Sequence, residues 1–445
     1  MQTSRVIDTT KSTCSHTFRI VEAEVIERGG RLFLRKNCPE HGIEESPHIF
    51  DMPVLYHQIK RIFCANQLRP AYPNELVAYL TRECNLHCPV CYMGANDGPK
   101  NELTQEALFS ILSVYKGRAV HLSGGEPTLR GDLFEIIRKI KEMGFFAGVF
   151  TNGLKLSDFN YVRELKNAGM DLAIVSLESL RSQDYLLIAG KDILKEKLKA
   201  IHNLKKEKTG VYLFSYIAEG LNEDQINPLI DFAKDNIEAV DILNFTPIWK
   251  VGRFGKFNRI PASGIYSQLK TAGFSLEEFI LNTEFSFLSF EILSKLLNGR
   301  WVRQPPCEQM VYLFKIKSGF IKIGDLVSLP YLIKRFGRIN RLINSRPLVF
   351  KWGIFLLNAP FFYFIKEIFI NKRLRALLKE TLGDIISSRT FKRAISKRKL
   401  TIMTGQVHSF DDADFRFINK CTLYAVDEEG KNMLSFCTRQ MRALH

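Results

Sequence analysis

Between Glu75 and Ile248, six short apolar runs alternate with segments of helical spacing: Leu76 to Leu80, Ala119 to Leu122, Gly148 to Thr151, Leu172 to Leu177, Tyr212 to Ile217 and Ile242 to Ile248. Leu133, Ile136, Ile137 and Ile140 fall on one helix face, as do Leu194, Leu198 and Ile201. Parallel strands need long crossovers, which are usually helices, so the alternation predicts an α/β fold around a parallel sheet. Six units fit a partial barrel and a doubly wound sheet alike, and periodicity does not choose between them.

The 445 residues are enough for about two to four domains and a large core. With 46% hydrophobic and 25% charged residues, the composition excludes a mainly disordered chain. Before the alternating region, Phe18 to Ile26 and Arg31 to Leu34 read as a hairpin turning at Gly29-Gly30. After Pro261 the pattern becomes helical and irregular. A second hairpin is expected over Val311 to Ile323, turning at Ser318-Gly319, and a third from Cys421 to Val426 and Met433 to Cys437. No internal repeats or low-complexity tracts occur.

The formal charge of +16 is localised. From Tyr331 to Leu400, 17 Lys and Arg stand against Glu367, Glu380 and Asp384, a surplus of 14 in one segment. Within it, Pro347 to Ile370 is largely apolar, but Lys351, Asn358, Pro360 and Lys366 interrupt it. A bilayer span needs about 20 predominantly apolar residues, so an interfacial helix on an anionic membrane surface is expected in preference to a spanning one. A pair of core helices broken near Asn358-Ala359-Pro360 is the competing reading. Phe361, Phe362 and Tyr363 form one apolar block, not interleaved with cations, which makes nucleic acid an unlikely partner.

Nine cysteines, and a polar start from Met1 to Thr13, predict reduced thiols in a cytoplasmic protein, peripheral at most to the inner membrane face. Three cluster as Cys84-x3-Cys88-x2-Cys91, directly after the first strand. Three thiolates on such a loop can hold one corner of a four-iron cube and leave the fourth iron open to a small molecule. A structural zinc or electron-transfer site would need a fourth ligand, with His87 the nearby candidate. The next strand ends in Ser123-Gly124-Gly125-Glu126-Pro127-Thr128, where two glycines allow close backbone approach and Glu126 and the adjoining carbonyls offer acceptors for an ammonium group.

Together these residues resemble the radical S-adenosylmethionine (SAM) superfamily over roughly Glu75 to Gly255. The resemblance implies a partial (β/α)6 TIM-like barrel, a [4Fe-4S] cluster on Cys84, Cys88 and Cys91, and SAM bound by Gly124, Gly125, Glu126 and Pro127. It also implies a one-electron reductant of flavodoxin or ferredoxin type, and reductive cleavage of SAM to a 5'-deoxyadenosyl radical. Asn152, Ser176, Glu178, Tyr216 and Asn222 lie near later strand ends, each either a SAM contact or a turn or capping residue.

Further segments are similar to a subgroup that includes archaeal tetraether lipid synthase and a dihydropterin methyltransferase-like protein: Cys38-Pro39-Glu40-His41-Gly42, Gly220-Leu221-Asn222-Glu223, Phe245-Thr246-Pro247 with Val251-Gly252-Arg253, Pro306-Cys307, and the tail from Cys421 through Cys437. In that subgroup the amino-terminal knuckle pairs C-x2-C with CPEHG. Here His16 and Thr17 follow Cys14 and the second cysteine is absent, so Cys14, His16, Cys38 and His41 fit either a zinc site or a degenerate, metal-free knuckle. The resemblance also implies an auxiliary iron-sulfur cluster on Cys307, Cys421 and Cys437, with Cys64 a distant fourth ligand; core thiols are the alternative.

The expected division is a knuckle (1–70), the barrel (71–260), a linker and auxiliary region (261–330), the basic helical segment (331–400) and a Cys-bearing C-terminal hairpin (401–445). The leading expectation for function is a radical SAM enzyme acting on a lipid or isoprenoid-like chain. Methylation or other modification of a pterin-like small molecule is the alternative, and a noncatalytic iron-sulfur protein at a membrane or nucleic acid the third.

Overall fold

The computed structural model describes residues 4–64, 74–98, 102–249, 251–253, 257–296, 307–343, 351–352, 355, 360–388, 398–407, 412–418, 423–426, 433–435 and 437. Strands β1 (Arg5–Thr13), β2 (Ile20–Arg28), β3 (Arg31–Cys38) and β4 (Gly42–Pro47) form an antiparallel sheet in sequential order. The expected hairpin is its centre, β2 and β3. The flanking strands escaped the apolar pattern because β1 buries hydroxyls, those of Thr10, Ser12 and Thr13, where an apolar alternation was sought.

The six expected strands are all present: β5 (Glu75–Thr81), β6 (Ala119–Gly124), β7 (Phe146–Thr151), β8 (Leu172–Ser176), β9 (Gly210–Glu219) and β10 (Val240–Pro247). Each pairs in parallel with the next in chain order. That order decides the question periodicity left open. A doubly wound sheet reverses its strand order at a switch point, whereas sequential order around an internal cavity is a partial barrel. A two-residue strand, β11 (Asn258–Arg259), pairs with the end of β9.

Helices fill the crossovers. In Leu133–Glu142, the four predicted core residues Leu133, Ile136, Ile137 and Ile140 are all fully buried. In Leu194–Lys206, Leu194 and Ile201 are buried and Leu198 packs at the margin, but Lys197 is also buried, which the apolar pattern did not show.

The carboxy-terminal part extends both edges of the barrel sheet. After β10 come β14 (Lys399–Gly405), parallel to it, then β12 (Glu308–Ile316) and β13 (Gly319–Lys322), antiparallel. The β12–β13 hairpin is the expected one. Beyond β5 lie β15 (Leu423–Val426), parallel, and β16 (Met433–Ser435), which pairs with β15 as the expected hairpin. β14 runs across the division expected at residue 400, and the division at residue 70 lies outside the described residues. So do Cys421 and the break at Asn358-Ala359, while helix Phe361–Ile370 follows Pro360. Among the described residues no helix is long and apolar enough to cross a membrane.

Candidate active site

β5 delivers the chain into the cysteine loop, and side chains far apart in sequence fix that loop. The Asn96 amide accepts from the Cys84 N–H (3.0 Å) and donates to the carbonyls of Cys84 (3.0 Å) and Leu86 (3.1 Å). Arg253 donates from Nε to the Cys88 carbonyl (2.8 Å) and from Nη1 to the Ala95 carbonyl (2.9 Å), and pairs with Asp97. Its own N–H donates to the Cys91 carbonyl. At Gly252 (φ +59°) a Cβ would lie 2.2 Å from that carbonyl oxygen, so only glycine lets this segment close on the loop.

The Gly-Gly-Glu-Pro segment at the end of β6 is locked to the same loop. Gly125 N–H donates to the Thr81 carbonyl (2.7 Å) and Glu126 N–H to that of Glu83 (2.8 Å). A Cβ on Gly124 or Gly125 would lie 2.4 Å from Thr81 O or 2.2 Å from Glu83 O. The close approach these glycines permit is to the cysteine loop. Glu126 departs from its expected role. Its carboxylate, 1% exposed, caps the turn that Pro127 begins and accepts from Thr128 N–H and hydroxyl, the Thr151 hydroxyl and Asn152 N–H. Neither Glu126 nor Pro127 reaches the cavity wall.

A cavity of about 140 Å³ lies over the loop, lined by Cys84, Cys88 and Cys91 together with Gly124, Gly125, Asn152, Ser176 and Glu178. Asn152 donates to the Asn85 side chain (2.8 Å) and so ties β7 to the loop. Ser176 and Glu178 face buried Lys197, whose Nζ lies 2.6 Å from the Ser176 carbonyl oxygen, 2.7 Å from its hydroxyl and 3.6 Å from Glu178 Oε2. That carboxylate oxygen accepts no hydrogen bond among the described residues. Its compensation is the Lys197 charge, held at ion-pair distance. Asn222 is fully buried and spends its amide on the carbonyls of Glu178 and Tyr216 and on Ala218 N–H; it is a turn clamp, away from the cavity.

The sulfurs fit a cluster better than a single ion. With bonds of about 2.3 Å, one tetrahedral zinc draws its sulfur ligands to about 3.8 Å apart. Among the described residues the group that compact is Cys14, Cys38 and His41, whose donor atoms lie within 4.8 Å of one another; the cysteine loop is not so contracted. Burial pushes the Cys84 thiol up to about 11 and the Cys88 thiol up to about 12, and the neighbouring sulfurs add to both shifts. A bound cationic cluster reverses that balance. Backbone N–H groups of Leu86 and Ala95 already point at Cys84 Sγ (3.4 Å) and Cys91 Sγ (3.5 Å). His87 is exposed and leans toward Asp97, so it does not close a fourth position.

The knuckle holds a compact group of three donors. His41 Nδ1 lies 3.6 Å from Cys14 Sγ and 3.5 Å from Cys38 Sγ. His16 does not join them: it pairs with Glu44 (3.0 Å) and stacks on His41. Burial opposes ionisation of Cys14, but hydrogen bonds from Thr17 and His16 outweigh it and bring its thiol down to about 6, which suits a metal-binding thiolate.

Below the small cavity the barrel encloses a lumen of about 1290 Å³. The two share Tyr92, Ser123, Phe150, Ile174, Phe214 and Tyr216 as walls. Cys307 and Cys437 both line the lumen, while Cys421 and the Cys64 side chain lie outside the described residues. Beside Cys307, Glu308 is held up at about 8 by burial and by the Glu75 charge.

Comparison with known proteins agrees with this geometry. Residues 78–233 match the Radical SAM superfamily model, and residues 6–47 match the HMPTM N-terminal zinc ribbon domain. A 7,8-dihydro-6-hydroxymethylpterin dimethyltransferase of Methanocaldococcus jannaschii is 30% identical over 271 residues, 55% of this chain and 54% of that protein. A probable GTP 3',8-cyclase of Pyrococcus abyssi is 38% identical over 157 residues, 35% of this chain and 51% of that protein. The chain thus spans about half the length of the curated relatives it matches. Among solved structures, Streptococcus suis SuiB bound to S-adenosylmethionine aligns at 21% identity with a TM-score of 0.39, covering 46% of each chain. The cofactors of the matched superfamily are a [4Fe-4S] cluster and SAM, and the zinc-ribbon match fits zinc at the knuckle. The chain carries a radical SAM domain over residues 78–233, which contains both the cysteine loop and the Gly-Gly-Glu-Pro segment that first suggested it.

Proposed function

We propose that the chain is a radical SAM enzyme that abstracts hydrogen from, and modifies, a pterin-like heterocycle held in the barrel lumen. The observation that carries this is the adjacency of the two cavities: the space beside the three cysteines shares the walls Tyr92, Phe150, Phe214 and Tyr216 with a lumen large enough for a second molecule. The name of the Methanocaldococcus relative supports the heterocycle.

In this reading Cys84, Cys88 and Cys91 hold the cluster, and Gly124, Gly125, Asn152, Ser176 and Glu178 hold SAM. When bound, cluster and SAM supply a 5'-deoxyadenosyl radical after one electron arrives from a flavodoxin- or ferredoxin-type donor. The chain's own residues orient SAM, exclude water and present the substrate carbon. Anaerobic reconstitution with dithionite and SAM tests the reading. 5'-Deoxyadenosine should form, and 6-hydroxymethyl-7,8-dihydropterin should gain mass; without deoxyadenosine the reading fails.

A lipid-like substrate reached at a membrane is a second reading with one specific observation behind it. Helix Phe361–Ile370 leaves Phe362, Ile365 and Phe369 exposed at 88%, 49% and 75%, on one face by their spacing. Lys366, Lys372, Arg373 and Arg375 stand nearby in the chain, a pairing that suits an anionic bilayer surface. Flotation with phosphatidylglycerol and phosphatidylcholine vesicles tests it; equal recovery with both at low salt removes its support.

A further inference from the structure

The knuckle gathers three metal donors, and among the described residues no further histidine, cysteine or carboxylate joins Cys14, Cys38 and His41 within 4.8 Å. Zinc in a structural site takes four ligands, and a knuckle's paired donors are spaced with about two to four residues between them. That spacing after Cys14 falls on Thr17, Phe18 and Arg19, none of which carries a thiol, an imidazole or a carboxylate. The nearby groups that could substitute are engaged elsewhere. His16 pairs through Nε2 with Glu44 (3.0 Å) and stacks on the His41 ring at 4.7 Å between centroids, which turns a ring face and not a nitrogen toward its neighbour. Glu44 is fixed in turn by Lys36, 1% exposed, whose Nζ lies 3.2 Å from the carboxylate and donates to the Ser15 hydroxyl (2.6 Å). Ser15 N–H donates to the same carboxylate (3.3 Å), and Glu40 is paired with Arg19.

We propose that the knuckle holds its metal through three protein donors and keeps a fourth position exchangeable, open to a small thiolate, an imidazole or water. Sites closed by four protein ligands are structural, whereas three protein ligands with one open position are the arrangement in which zinc binds and activates an incoming group. The class of ligand follows from the metal's neighbours, since an ion that sits on two thiolates and an imidazole takes further donors of the same kind. Cys14 and Cys38 are buried but His41 is exposed, so solvent reaches the group from the His41 side. Ser15, His16, Lys36 and Glu44 also line a groove of about 760 Å³ between the amino-terminal sheet and Asn258, Arg259 and Pro261, which gives an incoming ligand room beside the site.

The test uses the full chain with Cys84, Cys88 and Cys91 all changed to Ala, loaded with cobalt(II) in place of zinc, and the same protein carrying C38S as the background to subtract. The probes are 2-mercaptoethanol and imidazole. Each should shift the cobalt ligand-field bands saturably, and the thiol should raise the sulfur-to-cobalt charge-transfer intensity by about half as the thiolates go from two to three. H16A should leave the resting spectrum and both responses as they are. T17C should show the three-thiolate spectrum with no thiol added and should respond to neither probe. Metal content and thermal unfolding report whether each protein is loaded and folded. If the triple variant does not fold, zinc K-edge absorption of the unaltered chain serves: it should give two sulfur ligands, one imidazole and one light-atom ligand that added thiol displaces. Spectra unmoved by either probe at millimolar concentration overturn the proposal, as does a resting spectrum changed by H16A, a T17C protein that still binds added thiol, or a chain that takes up neither zinc nor cobalt.

Discussion

Arg253 Nε donates to the Cys88 carbonyl at 2.8 Å, a bond that joins residues 165 positions apart and ties the segment after β10 to the cysteine loop. The same guanidinium holds the Ala95 carbonyl and Asp97, so three points of the loop depend on one side chain. A loop must hold its thiolates in fixed geometry for a cluster to form. Arg253→Gln should therefore lower iron per chain after reconstitution and cut deoxyadenosine formation roughly tenfold or more. Arg253→Lys should not rescue, since an ammonium cannot reproduce the planar fork. Full iron occupancy in both variants would show that the loop holds its shape without this residue.

The contact between the amino-terminal sheet and the rest of the molecule predicts a pH dependence. Burial alone would raise the Asp8 carboxyl. Hydrogen bonds from Lys60 and Tyr56 (2.7 Å from the Tyr56 hydroxyl) and the Arg416 charge outweigh that and hold it at about 2. A depressed carboxylate stabilises the folded state above its unfolded value near 4, and that stability is lost as pH falls through about 2. Asp8→Asn should cost up to about 2 kcal/mol at pH 6, with the gap to wild type narrowing between pH 4 and 2. Urea melts of both proteins across that range check it; a gap independent of pH would mean that Asp8 is not ionised in the folded protein.

The barrel strands and the cysteine loop were legible because both are local signals: period and spacing. The order of the strands was not, since six alternating units specify crossovers but not direction of winding. Lys197 was missed because a lysine on a buried helix face breaks the apolar pattern on which the face was identified, and its justification, Ser176 and Glu178, lies at and just beyond the end of β8. Gln406 carries no sequence signal at all. β14 places it beside Cys307, and β14 lies far along the chain from β10, with which it pairs, so the regular alternation that marked the other strands did not mark it. Arg253 stood within a recognisable Val-Gly-Arg stretch, but what it holds is visible only in three dimensions.

Zinc at the knuckle should be separable from iron. Cys14, Cys38 and His41 bring three donors together, while His16 is engaged with Glu44. Elemental analysis of full-length protein should find zinc approaching one per chain that survives loss of the cluster to air. Cys38→Ser should reduce it sharply and His16→Ala should not. Cobalt substitution should give sulfur-to-metal charge-transfer bands that disappear in Cys38→Ser. Zinc loss in His16→Ala equal to that in Cys38→Ser would restore His16 as a ligand.

Lys197 and Glu178 test the proposed SAM pocket through its support. Their side chains are 2% and 7% exposed, and the ammonium also donates to both the carbonyl and hydroxyl of Ser176. Removing one member of a buried pair leaves the other charge uncompensated, so Lys197→Met should destabilise the protein by about 3 to 5 kcal/mol. The double variant Lys197→Met with Glu178→Gln should recover part of that loss, because neither charge remains. Lys197 lines the cavity together with Ser176 and Glu178 and holds both in place, so in the proposed reading it helps to position SAM. The single variant at permissive temperature should accordingly raise KM for SAM more than it lowers kcat, a split that general destabilisation does not produce. If stability falls but KM is unmoved, the pair serves the barrel wall alone and the cavity beside the cysteines does not depend on it.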